Sequence, residues 1–420
     1  MNKSNVVKTF VVISVISFTL HLLNHYSLGV LGLLLNFAEN KETRLYLIDP
    51  DIISMNIFNG RNTTTIGDGN IITLGMNGTS QTKITLFDHL KDKGFRVFCS
   101  EVDTTVNLTL STHSNKHLPA HFLIYHKHTD FLIHIVVFYK RYRNFIWCDR
   151  IQIEDLIQRI KQENLSWLKT EMLEKLHFGR VPFSFNSINT TRGILGNTTL
   201  LVPENGDKFL KDYNELEFIE CNYTRAEKYY REYKMPREPT DWVLKALEML
   251  EKTGEALDKL GIPFTLGEGT LLGWYRQCGI ISHTSDLDIL VFREDYSDDI
   301  FTSLKKVGFT HKNTFGKASL NDSFEYSFRW SRVKLDLFFV YKEKDLFWIG
   351  GTDGDKKLRF TLPKFTNCWS EMLGVRVRVP CDSAAYVEKS YGKNWYKPLK
   401  RWFWAKDPSN FKVVGKWDRR

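Results

Sequence analysis

The chain contains no CxxC pair, which removes the thiolate spacing of a zinc ribbon. It has no internal repeat, so a solenoid array is excluded, and no long low-complexity tract. It does not lack apolar residues. Hydrophobic side chains make up 42% of the 420 residues and aromatics 14%, so global disorder is excluded. That length suits two domains of roughly 100–200 residues each beside any membrane segment.

The net charge of +9 is unevenly spread. From Lys389 to Arg420 ten Lys and Arg meet two Asp, with Trp395, Trp402, Phe403, Trp404 and Trp417 between them. Such a segment suits single-stranded nucleic acid, or it is a solvated edge packed by tryptophans.

The compartment bears on that choice. Residues 9–35 are mostly apolar, long enough to cross a bilayer. Lys3 and Lys8 precede the run with no acid, and no small-x-small cleavage site follows Leu23. The expectation is a signal anchor with residues 1–8 cytosolic and the remainder lumenal. N-x-S/T sequons at Asn62, Asn77, Asn107, Asn164, Asn189, Asn197, Asn222 and Asn321 agree with secretory exposure. Nucleic acid is then not the expected partner. In a lumen the six cysteines can pair, Cys368 with Cys381 being the nearest in sequence, or remain buried thiols.

The chain reads as α/β, with a front domain over 36–216 and a second over 217–420. In the front domain LYLIDPDII suggests a short strand ending in a turn, and 131–139 (FLIHIVVFY) a buried strand. The stretch from Ile153 has helical spacing. His134 fits a satisfied core histidine. In the back domain Thr240 is placed to cap a helix whose apolar face is Val243, Leu247, Leu250, Leu257 and Leu260, with Gly261 ending it.

The segment after that helix carries the chemistry. IPFTL reads as a strand, and Gly267-Glu268-Gly269-Thr270 as a turn opening a short helix. A helix start can hold a phosphate, with Arg276 one turn on. Then comes Asp286-Leu287-Asp288 leading into ILVF. Period two puts both carboxylates on one face of a strand, where like charges call for a cation such as Mg²⁺ or Mn²⁺. Val333 to Val340 reads as a central strand with Asp336 inside it and Lys334 on the same face. Either a shared metal or a structural Asp336–Lys pair would offset that buried acid. Strand, glycine turn, helix, DxD strand and a third strand acid is a nucleotidyltransferase arrangement with a mixed sheet. A glycosyltransferase with a metal-binding DxD is the rival, and it requires neither the upstream turn nor the third acid.

GTLLGWYRQCGIISHTSDLDILVF resembles the signature of the LicD family, and YGKNW followed by KPLKRWFW is similar to its C-terminal motif. LHFGRVPFSF, FIECNYTRA, VKLDLFFVY and LPKFTNCW extend the resemblance to the fukutin family from about residue 45 to about 412. The resemblance implies a single-pass type II Golgi membrane protein. It also implies transfer of ribitol 5-phosphate from CDP-ribitol to an O-mannosyl glycan of a dystroglycan-like glycoprotein. A related second ribitol-phosphate transferase and other Golgi glycosyltransferases would work beside it. Under it Asp286, Asp288 and Asp336 become catalytic and metal-holding acids, and Gly269, Thr270, Arg276 and Lys334 donor-phosphate contacts. Where the family has a serine-containing turn this chain has Glu268, whose charge bears on the donor. Two other readings stand beside it: another CDP-alcohol donor, such as phosphocholine or glycerol phosphate, and an inactive lumenal glycoprotein-binding subunit.

Overall fold

The computed structural model describes residues 29–36, 38, 43–55, 71–79, 82–102, 118–126, 131–141, 145–162, 170–195, 198–318, 322–399 and 401–417. Most of the expected anchor over 9–35 lies outside them, as does the cytosolic 1–8. Residues 29–36 are helical. Among the described residues no helix is long and apolar enough to cross a membrane. The chain divides into two compact units, Met1–Glu217 and Phe218–Arg420.

The front unit is built on a mixed nine-stranded sheet. Its strands are β1 (Leu45–Leu47), β2 (Ile71–Gly78), β3 (Phe95–Glu101), β4 (Pro119–His126), β5 (Phe131–Arg141), β6 (Phe145–Cys148), β7 (Phe183–Phe185), β8 (Thr190–Leu195) and β9 (Thr198–Pro203), in the order β3-β4-β5-β2-β1-β9-β8 with β6 and β7 joined through β5. Strand β5 is buried at every position but Lys140, as expected of a β-branched and aromatic run with neighbours on both edges. After β1 the chain does not merely turn. Asp49 accepts from the Ile52 amide and Pro50 sits in the first turn, so Pro50–Ser54 becomes a helix, α1. The helical spacing from Ile153 gives α2 (Ile153–Gln162) and α3 (Thr170–Glu174), and α4 follows at Gly206–Tyr213.

His134 is fully buried, and its Nε2 lies 2.9 Å from Nδ1 of His121. Nε2 of His121 donates to the Asp149 carbonyl at 2.7 Å, which makes Nδ1 of His121 the acceptor. Of the sequon asparagines, Asn77, Asn189 and Asn222 are exposed, and Asn222 also caps the next helix through the Arg225 amide at 2.8 Å. Asn62, Asn107, Asn164, Asn197 and Asn321 lie outside the described residues.

The back unit opens with α5 (Tyr223–Tyr233) and α6 (Asp241–Lys259). Thr240 caps α6 by accepting from the Val243 amide, and Gly261 at φ +68° ends it. Of the IPFTL strand only β10 (Thr265–Leu266) pairs. Helix α7 (Glu268–Gln277) and β11 (Asp286–Phe292) follow, then α8 (Asp298–Lys306), β12 (Thr310–Lys317), β13 (Asp322–Trp330), β14 (Val333–Lys342), β15 (Phe347–Asp353) and β16 (Lys356–Leu362). A separate hairpin of β17 (Asn367–Met372) and β18 (Val375–Pro380), helix α9 (Ser383–Tyr391) and β19 (Phe411–Lys416) complete it. The sheet is mixed. β14 is central, parallel to β11 on one edge and antiparallel to β13 and then β15 on the other. Two disulfides brace the unit, Cys221–Cys278 and Cys368–Cys381, and the second closes the β17–β18 hairpin. Cys99 and Cys148 of the front unit remain thiols.

Candidate active site

The register of β11 on β14 assembles the acids. Asp286 stands opposite Lys334, and Asp288 opposite Asp336. Leu287 and Ile289 point the other way and are fully buried, so the apolar half of each strand fixes which face the carboxylates take. Carboxylate oxygens of Asp286, Asp288 and Asp336 all lie within 4.8 Å of one another. They border a cavity of about 790 Å³ within the back unit.

Each acid is held. Asp286 Oδ1 accepts from the Thr284 hydroxyl at 2.9 Å. Asp288 Oδ2 accepts from the Gly269 amide at 3.1 Å, and the Asp288 amide donates to the Thr270 hydroxyl at 2.8 Å. The N-terminus of α7 is thus tied to the DxD strand. Gly269 borders the cavity, whereas Thr270 is buried behind Asp288. Asp336 accepts from the Ser327 hydroxyl at 2.5 Å and from Lys334 Nζ at 2.7 Å. The Asp336–Lys334 pair and the three-acid cluster are therefore both present.

The electrostatics follow. Burial and the charges of Asp286, Asp336 and Glu268 push Asp288 well above the usual carboxylate range. Burial also raises Asp336, against the pull of Lys334 and Ser327. Burial works against the charge on Lys334, but Asp336, Glu325 and Asp286 outweigh it and hold the ammonium above its ordinary range. One lysine does not balance three carboxylates in so small a volume. An all-oxygen donor set with a surplus of negative charge fits Mg²⁺ or Mn²⁺.

Arg276 lines the same cavity. It is buried, its guanidinium donates to Gln277 Oε1 at 2.8 and 3.2 Å, and it lies over the Tyr229 ring at 4.7 Å. Glu268 also borders the cavity, and its Oε1 accepts from the Tyr386 hydroxyl at 2.8 Å. Burial lifts its carboxyl to about 7.

Two further groups stand at the site that the sequence did not place there. Glu325 and Ser327 on β13 belong to the site: Ser327 stands opposite Asp336, and burial with the nearby Asp336 raises Glu325 to about 8. Their signal was period-two polar residues in an otherwise aromatic strand, the same cue that marked the DxD. The basic, aromatic tail is the second group. Trp395, Lys397, Arg401, Trp402 and Trp404 line the cavity of the three acids. Trp395 is anchored against Tyr275 of α7 at 5.0 Å, with Arg225 over the Tyr275 ring at 3.8 Å.

Comparison with known proteins agrees with this geometry. A family model described as LicD/FKTN/FKRP, nucleotidyltransferase domain, matches residues 261–382, spanning all three acids. The chain is 36% identical over 309 residues to the mouse "Ribitol-5-phosphate transferase FKTN", covering 72% of this chain and 64% of that protein, and equally so to its human counterpart. An uncharacterized protein of Caenorhabditis elegans is 30% identical over 234 residues, 52% of this chain and 58% of that one. The chain thus spans a little under two thirds of the length of its mammalian relatives. A second model, Fukutin N-terminal, matches residues 24–252, more than half of the chain, and the chain belongs to the fukutin family.

Proposed function

We propose that this protein moves ribitol 5-phosphate from CDP-ribitol to a glycan hydroxyl on a glycoprotein, an O-mannosyl glycan of a dystroglycan-like acceptor. The observation that carries the reading is three carboxylates brought to one cavity wall in a chain of the fukutin family. Asp286, Asp288 and Asp336 would hold Mg²⁺ or Mn²⁺, which would supply charge neutralisation at the donor pyrophosphate. The α7 turn holds Asp288 in place through Gly269 and Thr270, and Arg276 meets the donor phosphates. Lys334 steadies Asp336, which orients the acceptor hydroxyl. Its oxygen attacks the phosphorus that bears ribitol, the phosphoanhydride bond breaks, CMP leaves, and the hydroxyl proton passes to Asp336.

The same reading anchors the protein in the Golgi membrane through residues 9–35 with both units lumenal. Two disulfides in the back unit support an oxidising compartment. A second ribitol-phosphate transferase and other Golgi glycosyltransferases are the expected co-workers. A second reading keeps the site and exchanges the donor for another CDP-alcohol. Glu268 on the cavity wall is the observation that favours it.

The test incubates the purified protein with CDP-ribitol, CDP-choline and CDP-glycerol in turn, with an acceptor glycopeptide and Mn²⁺, and reads product mass. The ribitol phosphate increment is expected, and Asp288→Ala and Asp336→Ala should abolish it while secretion of the lumenal domain, expressed without residues 1–35, stays near normal. Transfer that survives both changes would sink the reading.

A further inference from the structure

The cavity extends to both sides of the acids, and the two sides differ in kind. On the β11 side lie the α7 turn and Arg276. On the opposite edge of β14 lie β13, which brings Glu325 to the wall, and β15, beyond which the wall is bare and aromatic. Gly350 and Gly351 stand side by side in β15. A Cβ at Gly350 would lie 2.3 Å from Ser323 Cβ, which sets β15 hard against the start of β13. A Cβ at Gly351 would lie 2.9 Å from the Phe360 ring and 3.6 Å from that of Trp404. Absence of a side chain at Gly351 lets both rings approach the strand and leaves a shallow trough bordered by Phe315, Phe360 and Trp404.

Trp404 is the unusual member. It is 50% exposed, yet it borders the cavity of the three acids. Its ring sits beside Phe360 with centroids 6.5 Å apart. A large flat apolar face beside a polar reaction centre suits a ligand with one apolar face and hydroxyls around its rim.

Phosphoryl transfer adds the direction. The attacking and leaving oxygens stand roughly in line across the phosphorus. If the donor phosphates lie on the α7 side, the acceptor must approach from the other, where the glycine-floored trough runs. We propose that this trough is the acceptor subsite and that Trp404 stacks on the pyranose face of the acceptor sugar. The inference rests on the phosphotransferase reading and deepens it. It assigns the tail a role in choosing the sugar rather than in holding the nucleotide.

The experiment uses the full chain with Trp404→Ala and Trp404→Phe. Acceptor glycopeptide is titrated at saturating CDP-ribitol, and CDP-ribitol at saturating acceptor. Trp404→Ala should raise the acceptor KM about tenfold, the scale of one lost aromatic contact, with kcat and donor KM within about twofold. Trp404→Phe should recover most of the loss, because it restores a flat face. An unchanged acceptor KM, or a rise confined to the donor KM, overturns the assignment. Binding of the glycopeptide alone, followed by calorimetry, separates this idea from the reaction it rests on. If the wild-type protein binds the glycan and Trp404→Ala does not, the subsite stands even if CDP-ribitol proves to be the wrong donor. Equal binding by both removes it. Matching thermal melts of the variants exclude misfolding as the cause.

Discussion

The two units bury polar groups in opposite ways. In the front unit several such groups are answered by a neighbour of complementary kind: His134 Nε2 by His121, His121 by the Asp149 carbonyl, Asp49 by the amides of Ile52 and Thr73. Those interactions help to fold the chain. In the back unit Asp288 faces Asp286 and Asp336 with Glu325 and Glu268 near, so like meets like. A group of buried charges of one sign costs stability unless something else arrives, and that marks a site. Both sheets are mixed and both contain a strand paired on both edges, so the fold alone does not separate the two units.

The largest effect that tests this contrast comes from removing one of the like charges. Asp288→Asn keeps the shape and deletes a charge pushed toward protonation by its neighbours. Transfer is expected to fall by about a thousandfold or more, as for loss of a preorganised charge-stabilising group. In EDTA the melting temperature should hold or rise, because the repulsion is gone. A variant that loses activity and also melts well below the wild type would mean that Asp288 is structural, as Asp49 is.

A smaller effect separates the units by their sulfur. The closed loops of Cys221–Cys278 and Cys368–Cys381 lie in the back unit, and the front unit keeps thiols at Cys99 and Cys148. Mild reduction should cost the back unit about 2–4 kcal/mol per bridge. Hydrogen exchange should then quicken in β17 and β18 while β4 and β5 stay protected. Equal loosening of both would show that the units do not differ in this respect.

Much of this was legible in the residues, and the reason is locality. The DxD, the acid in Val333–Val340, the cap at Thr240 and the stop at Gly261 are set by period two and by backbone preferences within a few positions. The helix at Pro50 was also local, written in Asp49 and Pro50, but the strand before it suggested only a turn. What stayed hidden is long-range. Nothing near Ser327 announces that it will stand opposite Asp336, and nothing in the tail says that Trp404 will reach Gly351, 53 positions earlier. Likewise Glu268 gains its meaning only from Tyr386, which lies 118 residues on. The cysteine pairing Cys221–Cys278 also spans 57 residues, and no spacing rule points to it.

The smallest effect, and the sharpest test of the contrast, is in pH. Burial holds His121 down at about 4 and His134 also well below its ordinary range. In the unfolded chain both would titrate near about 6.5. The unfolded front unit therefore takes up protons first as the medium acidifies. Stability from keeping these imidazoles neutral is complete above about 6.5 and is lost as pH falls toward 4. The back unit has the opposite sign. Glu325 is raised to about 8 and Glu268 to about 7, whereas in the unfolded chain they titrate near about 4.3. There the folded state binds the extra protons. Its contribution is complete below about 4.3 and is lost as pH rises through 7 to 8. In EDTA, raising pH from 5 to 8 should thus slow exchange in β4 and β5 and quicken it in β13 and β14, after correction for intrinsic rates. Glu325→Gln should flatten the back unit's response and leave the front unit's intact. Exchange that shifts the same way in both units would mean that the buried acids of the back unit are as well answered as the histidines of the front, and the contrast between the two would fail.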